Sequence, residues 1–404
     1  MSALKFEILA KCSRTNARAG MISTIHGSFD TPAFMPVGTR GSIRGLTPEQ
    51  IKSTRSQIIL ANAYHLMLRP GPELVAELGG LHKFMGWDGP ILTDSGGYQA
   101  FSMADINSVD DEGVTFRSIV DGSTVHLGPE RAIEVQNLLG PDIIMAFDDC
   151  PPAVDIDGQD DESGNIKTRP VVNPADYAKR LQVAHDRTIK WLARCKDAHK
   201  RVEDQSLFGI IQGGTDFSLR EKAVEAVCNI DLPGYAVGGV AVGEGPELIR
   251  KIVEHTAPLM PWAKPRYLMG VGYEKDIIAA VQAGVDMFDC VLPTRNGRNA
   301  LAFCKSERLH LRNSQYKADP TVIEKGCSCL CCCGGFSRAY LRHLFASKEM
   351  LGPILVSIHN IHHFQSLLLD IRKAIREDSW PSLERDWPVL EATEARPVST
   401  DTLT

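Results

Sequence analysis

The chain has 404 residues, 43% hydrophobic and 23% charged, an ordinary globular composition with enough length to bury a large core. Its formal net charge of −6 argues against a protein that coats nucleic acid non-specifically, so an RNA ligand would need a local basic patch. Residues 1–14 lack the apolar core of a secretion signal, and no apolar run is long enough to span a bilayer, so we expect a cytoplasmic protein without membrane contact.

Short apolar runs alternate with longer amphipathic segments from residue 57 onward. The runs that predict strands are 57–61, 91–93, 143–147, 207–211, 235–240, 267–271 and 285–288. The segments that predict helices are 129–139, 175–195, 219–227, 246–255 and 274–283. Repeated strand-then-helix units predict a parallel sheet with helices outside, either open or closed. We favour a closed (β/α)8 barrel because the alternation is long and no Gly-x-Gly-x-x-Gly motif follows the first strand.

Three segments interrupt this alternation. Residues 114–120 and 124–127 flank Asp121-Gly122-Ser123, which predicts a β-hairpin inserted in the barrel. Residues 155–170 are acidic and polar without an apolar period, which predicts a flexible insertion. From about Asp378 onward we expect a poorly ordered tail.

Polar side chains stand where several apolar runs end. Asp94 ends the run at 91–93, Asp148 follows the run at 143–147, and Gln212 follows the run at 207–211. In a (β/α)8 barrel the carboxyl ends of the strands form the active-site face. After Asp94, Gly96 and Gly97 would let a substrate approach the backbone, and Tyr98 would offer a flat face for a base, although a plain turn explains the same residues.

Asp289 ends the last apolar run and is followed by a turn rich in Pro, Gly and Asn that carries Arg295 and Arg298. A carboxylate held at a strand end can serve as a nucleophile or as a base, and two arginines beyond it suit phosphate. The alternative is a helix-capping aspartate and a solvated turn. Residues 295–342 are rich in positive charge, with nine basic residues and only three acidic ones. The basic residues are Arg295, Arg298, Lys305, Arg308, Arg312, Lys317, Lys325, Arg338 and Arg342.

Five of the 11 cysteines lie within residues 327–333, and His359 follows them. Thiolates at close spacing with one imidazole are typical of a tetrahedral structural zinc site with no open position. We therefore divide the chain into a catalytic barrel at 1–304, a zinc-binding subdomain with the final barrel helix at 305–378, and a tail at 379–404.

The chain resembles the tRNA-guanine transglycosylase family from residue 5 to about 375. The motifs that carry the resemblance occur in the family's order: TDSGGYQ at 93–99, MAFDDC at 145–150, GIIQGG at 209–214, GYAVGGVAVGEG at 234–245, RYLMGVG at 266–272 and FDCVLPTRNGRN at 288–299. The resemblance implies a homodimeric enzyme that replaces guanine in the anticodon of tRNA through a covalent intermediate. It implies that Asp289 is the nucleophile and that Asp94 is the general acid and base. It also implies that Ser95 contacts the RNA and that Tyr98 packs on the base. The residues implied for the guanine pocket are Asp148, Gln212, Gly239, Val240 and Met269, and those implied to bind the flanking phosphates are Arg295 and Arg298.

The resemblance leaves one zinc ligand open. The family pattern Cys-x-Cys-x-x-Cys with a distant His matches Cys327, Cys329, Cys332 and His359, with His359 followed by the expected Asn360. Counting back from the segment Ser337-Arg-Ala-Tyr340 places the third thiolate on Cys333 instead.

Cys150 and Val242 resemble the bacterial branch, which inserts 7-aminomethyl-7-deazaguanine; the alternative is a eukaryotic-type enzyme that inserts queuine directly. Two further alternatives are weaker. A non-catalytic RNA-binding paralogue would lack Asp94 and Asp289, and a hydrolase with catalytic zinc would need an open metal position.

Overall fold

The computed structural model describes residues 3–103, 106–151 and 174–390, and the predicted insertion at 155–170 lies outside them. The strands, in chain order, are β1 (Lys5–Lys11), β2 (Arg18–Thr24), β3 (Gly27–Thr31), β4 (Ala33–Gly38), β5 (Ile59–Asn62), β6 (Ile91–Asp94), β7 (Ile106–Val109), β8 (Val114–Arg117), β9 (Thr124–Leu127), β10 (Ile143–Met145), β11 (Ser206–Ile211), β12 (Gly234–Val237), β13 (Arg266–Leu268), β14 (Met287–Cys290), β15 (Leu301–Phe303) and β16 (Arg308–His310).

The helices, in chain order, are α1 (Pro48–Ser53), α2 (Ala63–Leu68), α3 (Pro72–Glu77), α4 (Gly80–Met85), α5 (Gly97–Met103), α6 (Pro129–Leu139), α7 (Pro174–Ala198), α8 (Phe217–Cys228), α9 (Pro246–Thr256), α10 (Glu274–Gln282), α11 (Leu292–Arg298), α12 (Leu330–Cys333), α13 (Arg338–Ala346), α14 (Leu351–Glu377) and α15 (Trp380–Asp386). None of the helices in the described part of the chain has the length and apolarity needed to cross a membrane.

Eight parallel strands form a closed barrel in the order β4, β5, β6, β10, β11, β12, β13 and β14, and β14 pairs with β4 to close it. The predicted (β/α)8 barrel is therefore confirmed. Its central strands are buried along their whole length because the interior packs on one face and helices cover the other. The first strand of the barrel in chain order, β4, was not among the predicted strands. The antiparallel sheet β1–β3 precedes it.

The inserted element is larger than the predicted hairpin. β8 and β9 form that hairpin, and β7 adds a third antiparallel strand on the other side of β8. Phe116 of β8 is fully buried, and its ring lies 5.4 Å from that of Tyr64 in α2. This contact anchors the three-stranded sheet β7–β9 to helix α2 of the barrel.

The residues after Asp289 form α11, whereas the sequence predicted a turn. Pro293 lies in the first turn of α11, where its missing N–H costs no hydrogen bond. Gly297 lies where α11 packs on α14, and a Cβ there would sit 2.7 Å from Ser357 Oγ. The two residues that suggested a turn therefore start a helix and let it approach its neighbour.

The chain also stays folded beyond residue 378, where a tail was predicted. Helix α15 follows α14 directly, and Trp380, Leu383 and Trp387 are buried. The Trp387 Nε1–H donates to Asp370 of α14 at 2.9 Å. Burial of two tryptophans holds residues 379–390 to the barrel, while 391–404 lie outside the described residues.

Candidate active site

Asp94 stands at the end of β6, in register with Asn62 at the end of β5. The Asn62 side-chain amide donates to Asp94 Oδ2, and the Ala63 N–H donates to Oδ1 at 3.0 Å. Asp94 is only 8% exposed, and this burial, with a contribution from the charge of Asp289, raises its pKa to about 7. Asp94 can therefore hold or release a proton near neutral pH.

Asp289 in β14 is half-buried, and the hydrogen bonds that orient its carboxylate are both made to one oxygen, Oδ1. Oδ1 accepts from the Tyr267 hydroxyl at 2.6 Å and from the Gly270 N–H at 2.9 Å. Removal from water raises the pKa of Asp289, and these two hydrogen bonds oppose the rise. Tyr267 is fully buried and its own pKa is raised well above the ordinary value, so it remains a donor.

Asp148 and Gln212 form a buried pair after β10 and β11. The Gln212 amide Nε2 donates to Asp148 Oδ2 at 2.5 Å. Burial raises the pKa of Asp148 to about 7, and the Gln212 hydrogen bond opposes the rise. Gln212 Oε1 is buried and has no hydrogen-bond partner among the described residues. A buried acceptor without a partner costs free energy, and that cost falls when a ligand donates to it or when the pair opens to water.

Glycines bring neighbouring loops onto this pair. A Cβ at Gly97 would lie 3.3 Å from Asp148 Oδ1, and one at Gly239 would lie 2.2 Å from Gln212 Oε1. Gly239 also has a φ of +61°, which L side chains rarely adopt. Val240 beside it is buried, and the half-buried Met269 packs against the interior of the barrel. The Asp148–Gln212 pair is thus surrounded by neighbouring loops at one end of the barrel.

Ser95 and Tyr98 follow Asp94 but differ in exposure. Ser95 is buried, and its Oγ accepts from the Gly97 N–H at 3.3 Å. Tyr98 in the first turn of α5 is 45% exposed. The tyrosine side chain is therefore exposed to solvent close to Asp94 in sequence, whereas the serine hydroxyl shapes the turn.

Asp149, next to Asp148, is a site residue that the sequence did not single out. Its carboxylate is fully buried and accepts from Arg180 and, at 2.6 Å, from Arg187, both in α7. The Asp149 N–H also donates to Thr188 Oγ1 at 3.1 Å. These bonds fasten the segment that carries Asp148 to the outer helix.

The loop after β12 is held by its own glutamate. Glu244 accepts from the N–H groups of Ala241 at 2.7 Å and Val242 at 3.0 Å. Val242 is half-buried here. Burial raises the pKa of the Cys150 thiol, and the charge of Asp148 raises it further.

Arg295 and Arg298 lie on α11, directly after Asp289. Burial lowers the pKa of Arg298, and the charges of Arg44 and Arg295 lower it further. Three guanidinium groups therefore face one region, and Arg44 was not foreseen from the sequence. The predicted basic stretch is otherwise partly neutralised, since Arg308, Lys305 and Arg338 pair with Glu274, Asp370 and Asp319.

Cys327, Cys329, Cys332 and His359 converge on one point in the subdomain after β14. The His359 Nδ1 lies 3.8, 3.5 and 3.5 Å from the three sulfurs in that order. Ligands around tetrahedral zinc have S···N separations of about 3.6 Å. The other ring nitrogen, Nε2, lies 2.7 Å from the Phe303 carbonyl, to which it donates, leaving Nδ1 free for a metal.

The adjacent Cys333 is not part of this cluster. It is exposed, and its thiol donates to the Cys327 carbonyl at 3.6 Å. Cys332 lies on the inner side of the short helix α12 and is buried. One residue along a helix turns a side chain by about 100°, which separates the two thiols.

A second group, His26, His82 and Asp142, lies at the opposite end of the barrel, before β10. Its N···O distances are 2.9 and 3.1 Å, and the two imidazole rings stack at 3.6 Å. These are hydrogen-bond lengths, and Asp142 also accepts from the Ile91 N–H at 2.8 Å. The buried carboxylate is therefore satisfied by the protein, and its pKa is lowered by these bonds despite its burial.

The fold and the site together define a (β/α)8-barrel enzyme with two carboxyl groups and a buried Asp–Gln pair at the carboxyl ends of its strands, and with a Cys3His cluster in the segments that follow β14. The family model for queuine tRNA-ribosyltransferase matches residues 12–389. The chain belongs to this family of pentosyltransferases.

Curated relatives named queuine tRNA-ribosyltransferase match nearly the full length. The chain is 50% identical to the one from Cyanothece sp. over 94% of its own length and 93% of the relative's. It is 46% identical to that from Synechococcus elongatus over 98% of each chain, and 48% identical to that from Lysinibacillus sphaericus over 93% of each.

Proposed function

We propose that this enzyme exchanges guanine at the anticodon wobble position of tRNAs with GUN anticodons, those for Asp, Asn, His and Tyr, for 7-aminomethyl-7-deazaguanine. One observation carries the proposal most directly. Asp94 and Asp289 lie close enough for the charge of Asp289 to raise the pKa of Asp94. Both follow the carboxyl ends of barrel strands, as does the Asp148–Gln212 pair. Paired carboxyls beside a polar pair that can hydrogen-bond a base suit displacement at a glycosidic carbon.

The reaction is a double displacement. Asp289 attacks the anomeric carbon of the target nucleotide, and guanine departs with a proton supplied by Asp94, whose pKa of about 7 allows it to carry one. This leaves an ester between Asp289 and the ribose. The incoming base then gives its proton to Asp94, and its nitrogen displaces the carboxylate, so the configuration is retained.

Base recognition uses the groups that now bond each other. Asp148 accepts from the ring N–H and the exocyclic amine of guanine, while Gln212 and the backbone between Gly239 and Val240 donate to its carbonyl oxygen. The base therefore replaces the Asp148–Gln212 hydrogen bond. Adenine would leave these buried groups unpaired, which costs affinity and gives selectivity. Met269 covers the ring, and the exposed Tyr98 stacks on it from the mouth.

The RNA is held by Arg44, Arg295 and Arg298, which contact the phosphates on either side of an unstacked target nucleotide. Ser95, buried in the free protein, reaches the RNA only after its turn rearranges.

We assign the cluster of Cys327, Cys329, Cys332 and His359 to one structural zinc ion. Its effect on the site runs through Asn360, which donates to the carbonyls of Pro293 at 3.0 Å and Leu301 at 2.9 Å, thereby fixing α11. Cys332→Ala should lose zinc, while the neighbouring Cys333→Ala should retain it. Zinc retained by the first variant and lost by the second would reverse the ligand assignment.

The enzyme is proposed to act as a cytoplasmic homodimer. The support is a row of stacked rings on α13 and the turn before it: Phe336, Tyr340 and His343, with centroids 6.0 and 6.4 Å apart and Tyr340 41% exposed. Sedimentation of wild type and Tyr340→Ala measures this, and a wild type that remains monomeric at assay concentration excludes it.

The decisive experiment is incorporation of radiolabelled guanine into a tRNA with a GUN anticodon, with an otherwise identical tRNA carrying A at the wobble position as control. We expect label in the first RNA alone. No incorporation by zinc-loaded protein would overturn the proposal.

The second candidate substrate, queuine, is tested by competition between the two bases. Val242 is half-buried, and its isopropyl group would restrict the extra ring of queuine, so the wild type should prefer the aminomethyl base. Val242→Gly should narrow that preference by about tenfold or more. Equal use of both bases by the wild type would favour the queuine-inserting type.

A further inference from the structure

Arg220 on α8 joins two of the loops that surround the Asp148–Gln212 pair. Its Nε donates to the Gly214 carbonyl at 2.9 Å. Its Nη1 donates to the carbonyls of Ile211 at 3.0 Å and Gly238 at 2.8 Å. Its Nη2 donates to the Gly239 carbonyl at 3.1 Å. The side chain is fully buried, so one guanidinium holds the loop after β11 and the loop after β12 in a single fork.

The surroundings of Arg220 are unusual for a buried charge because its four hydrogen-bond acceptors are all backbone carbonyls. Burial lowers its pKa to about 10, and the group is still charged at neutral pH. Buried arginines are usually paired with carboxylates, since desolvation of an unpaired charge is costly. Here four charge-assisted hydrogen bonds, together with the nearby charge of Glu244, offset that cost. The hydrogen bonds tie the buried charge to the geometry of these two loops.

The two loops carry the donors that face position 6 of the proposed base. Gln212 lies between Ile211 and Gly214, which both bond to Arg220. The carbonyl of the Gly239–Val240 peptide is the fourth acceptor, bonded to Arg220 Nη2. The distance between the Gln212 amide and this peptide is therefore set by the guanidinium fork and not by either loop alone.

The glycines of both segments make this convergence possible. A Cβ at Gly213 would lie 3.0 Å from the Arg220 backbone nitrogen and 3.2 Å from its Cδ. A Cβ at Gly239 would lie 3.5 Å from Arg220 Nη2, besides its clash with Gln212. The glycine-rich motifs at 209–214 and 234–245 thus leave space for the arginine as well as for a base.

We infer that Arg220 is a positioning residue for base selectivity, which sets the Gln212 amide and the Gly239–Val240 peptide at the spacing that recognises a 6-oxo group. This inference rests on the proposed function. It predicts that loss of the fork weakens binding of the base and, above all, reduces discrimination at position 6. A suitable probe pair is guanine and 6-thioguanine, which differ only in the strength and size of that acceptor.

The test compares Arg220→Met, which keeps the length but removes every donor, with Arg220→Lys, which keeps a charge but loses the fork. Arg194→Met is the matched control, because Arg194 on α7 pairs with Glu112 and Glu130 at the surface. KM, kcat and the guanine to 6-thioguanine selectivity are measured by exchange into tRNA, together with circular dichroism and zinc content.

For both Arg220 variants we expect KM for guanine to rise about tenfold or more, kcat to change less, and selectivity to fall by about tenfold. Arg194→Met should match the wild type. If Arg220→Met does not fold, Arg220→Lys decides the question.

A folded Arg220 variant with the wild-type KM and selectivity overturns the inference, even if its stability is reduced, since that is the signature of a purely structural role. If the wild type itself incorporates no guanine, the proposed function fails and this inference with it. The two failures are distinguished by the wild-type measurement.

Discussion

Asp94 and Asp289 are alike in sequence, since each ends an apolar strand, but the structure surrounds them differently. Asp94 is 8% exposed, and each of its oxygens accepts a hydrogen bond, from Asn62 and from the Ala63 N–H. Asp289 is half-buried, and both of its bonds, from Tyr267 and Gly270, converge on Oδ1. The same residue type at the same kind of position therefore differs in burial and in which of its oxygens accept hydrogen bonds.

The difference shows how donor placement divides the proposed roles. Donors on both oxygens and deep burial leave Asp94 a carboxyl that changes protonation near pH 7, as an acid and base must. Two donors on Oδ1 fix the orientation of Asp289 and direct attack to Oδ2, which can form the ester. The roles follow from the environment and not from the residue type.

The largest expected effect comes from Asp289→Ala. Exchange should fall by about 10,000-fold or more, because the substitution removes the group that we propose forms the covalent intermediate. The denaturant-stable adduct between protein and tRNA should disappear from gel analysis, while zinc content stays at the wild-type level. An adduct that persists in the alanine variant would assign the nucleophile elsewhere and erase the distinction between the two aspartates.

Asp94→Asn should lower exchange by about 100- to 10,000-fold, the range for loss of a general acid. The sharper measurement uses tRNA with 7-methylguanine at the wobble position, a cationic base that leaves without a proton. Adduct formation from this RNA should be close to wild type in Asp94→Asn and absent in Asp289→Ala. Equal failure of both variants on the methylated RNA would mean that Asp94 does more than supply a proton.

The barrel and its strand-end aspartates could be predicted because they depend on patterns along the chain. Apolar runs that end in Asp or Gln mark the carboxyl ends of parallel strands. The partners of these aspartates could not be predicted, since Asn62 and Tyr267 lie on other strands than the carboxylates they bind. Arg220 was missed for a different reason: an arginine in an amphipathic helix ordinarily faces solvent, whereas Arg220 is buried.

Local residue preferences misled the prediction where tertiary contacts override them. β4 contains Pro36 and ends at Gly38, both uncommon in central strands, but it closes the barrel beside β14. Pro293 and Gly297 suggested a turn, but they start α11 and let it pack on α14. The polar stretch after 378 contains Trp380, whose burial against the barrel decides its structure. Such contacts are not encoded in a short sequence window.

The pH dependence of stability should also separate Asp94 from an uncharged side chain. The pKa of Asp94 in the folded protein, about 7, lies above its ordinary value of 3.8, so the proton stabilises the fold. That contribution is complete below about pH 4 and is lost as the pH rises through 7. Asp94→Asn cannot lose it, although it forfeits one hydrogen bond.

The free energy of unfolding of Asp94→Asn, relative to wild type, should therefore increase by about 2–3 kcal/mol between pH 5 and pH 8. Urea unfolding at the two pH values measures it, with Arg194→Met as the control that should show no such trend. A difference that is constant over this range would mean that Asp94 is already ionised at pH 5, and the proposed acid would lose its physical basis.

Tyr267→Phe should have the smallest effect and should act on Asp289 alone. The substitution removes one of the two donors to Oδ1 and keeps the ring, so adduct formation should slow by about tenfold, the value of one hydrogen bond to a charged group. Because that bond lowers the pKa of Asp289, its loss should raise the pKa further, and a larger fraction of the nucleophile is protonated at a given acidic pH. The acid limb of the single-turnover pH profile should therefore move to higher pH, while the alkaline limb, which reports Asp94, should stay in place. A shift of the alkaline limb instead would mean that Tyr267 is coupled to the acid and not to the nucleophile, and the separation drawn between the two aspartates would fail at the one contact that distinguishes them most directly.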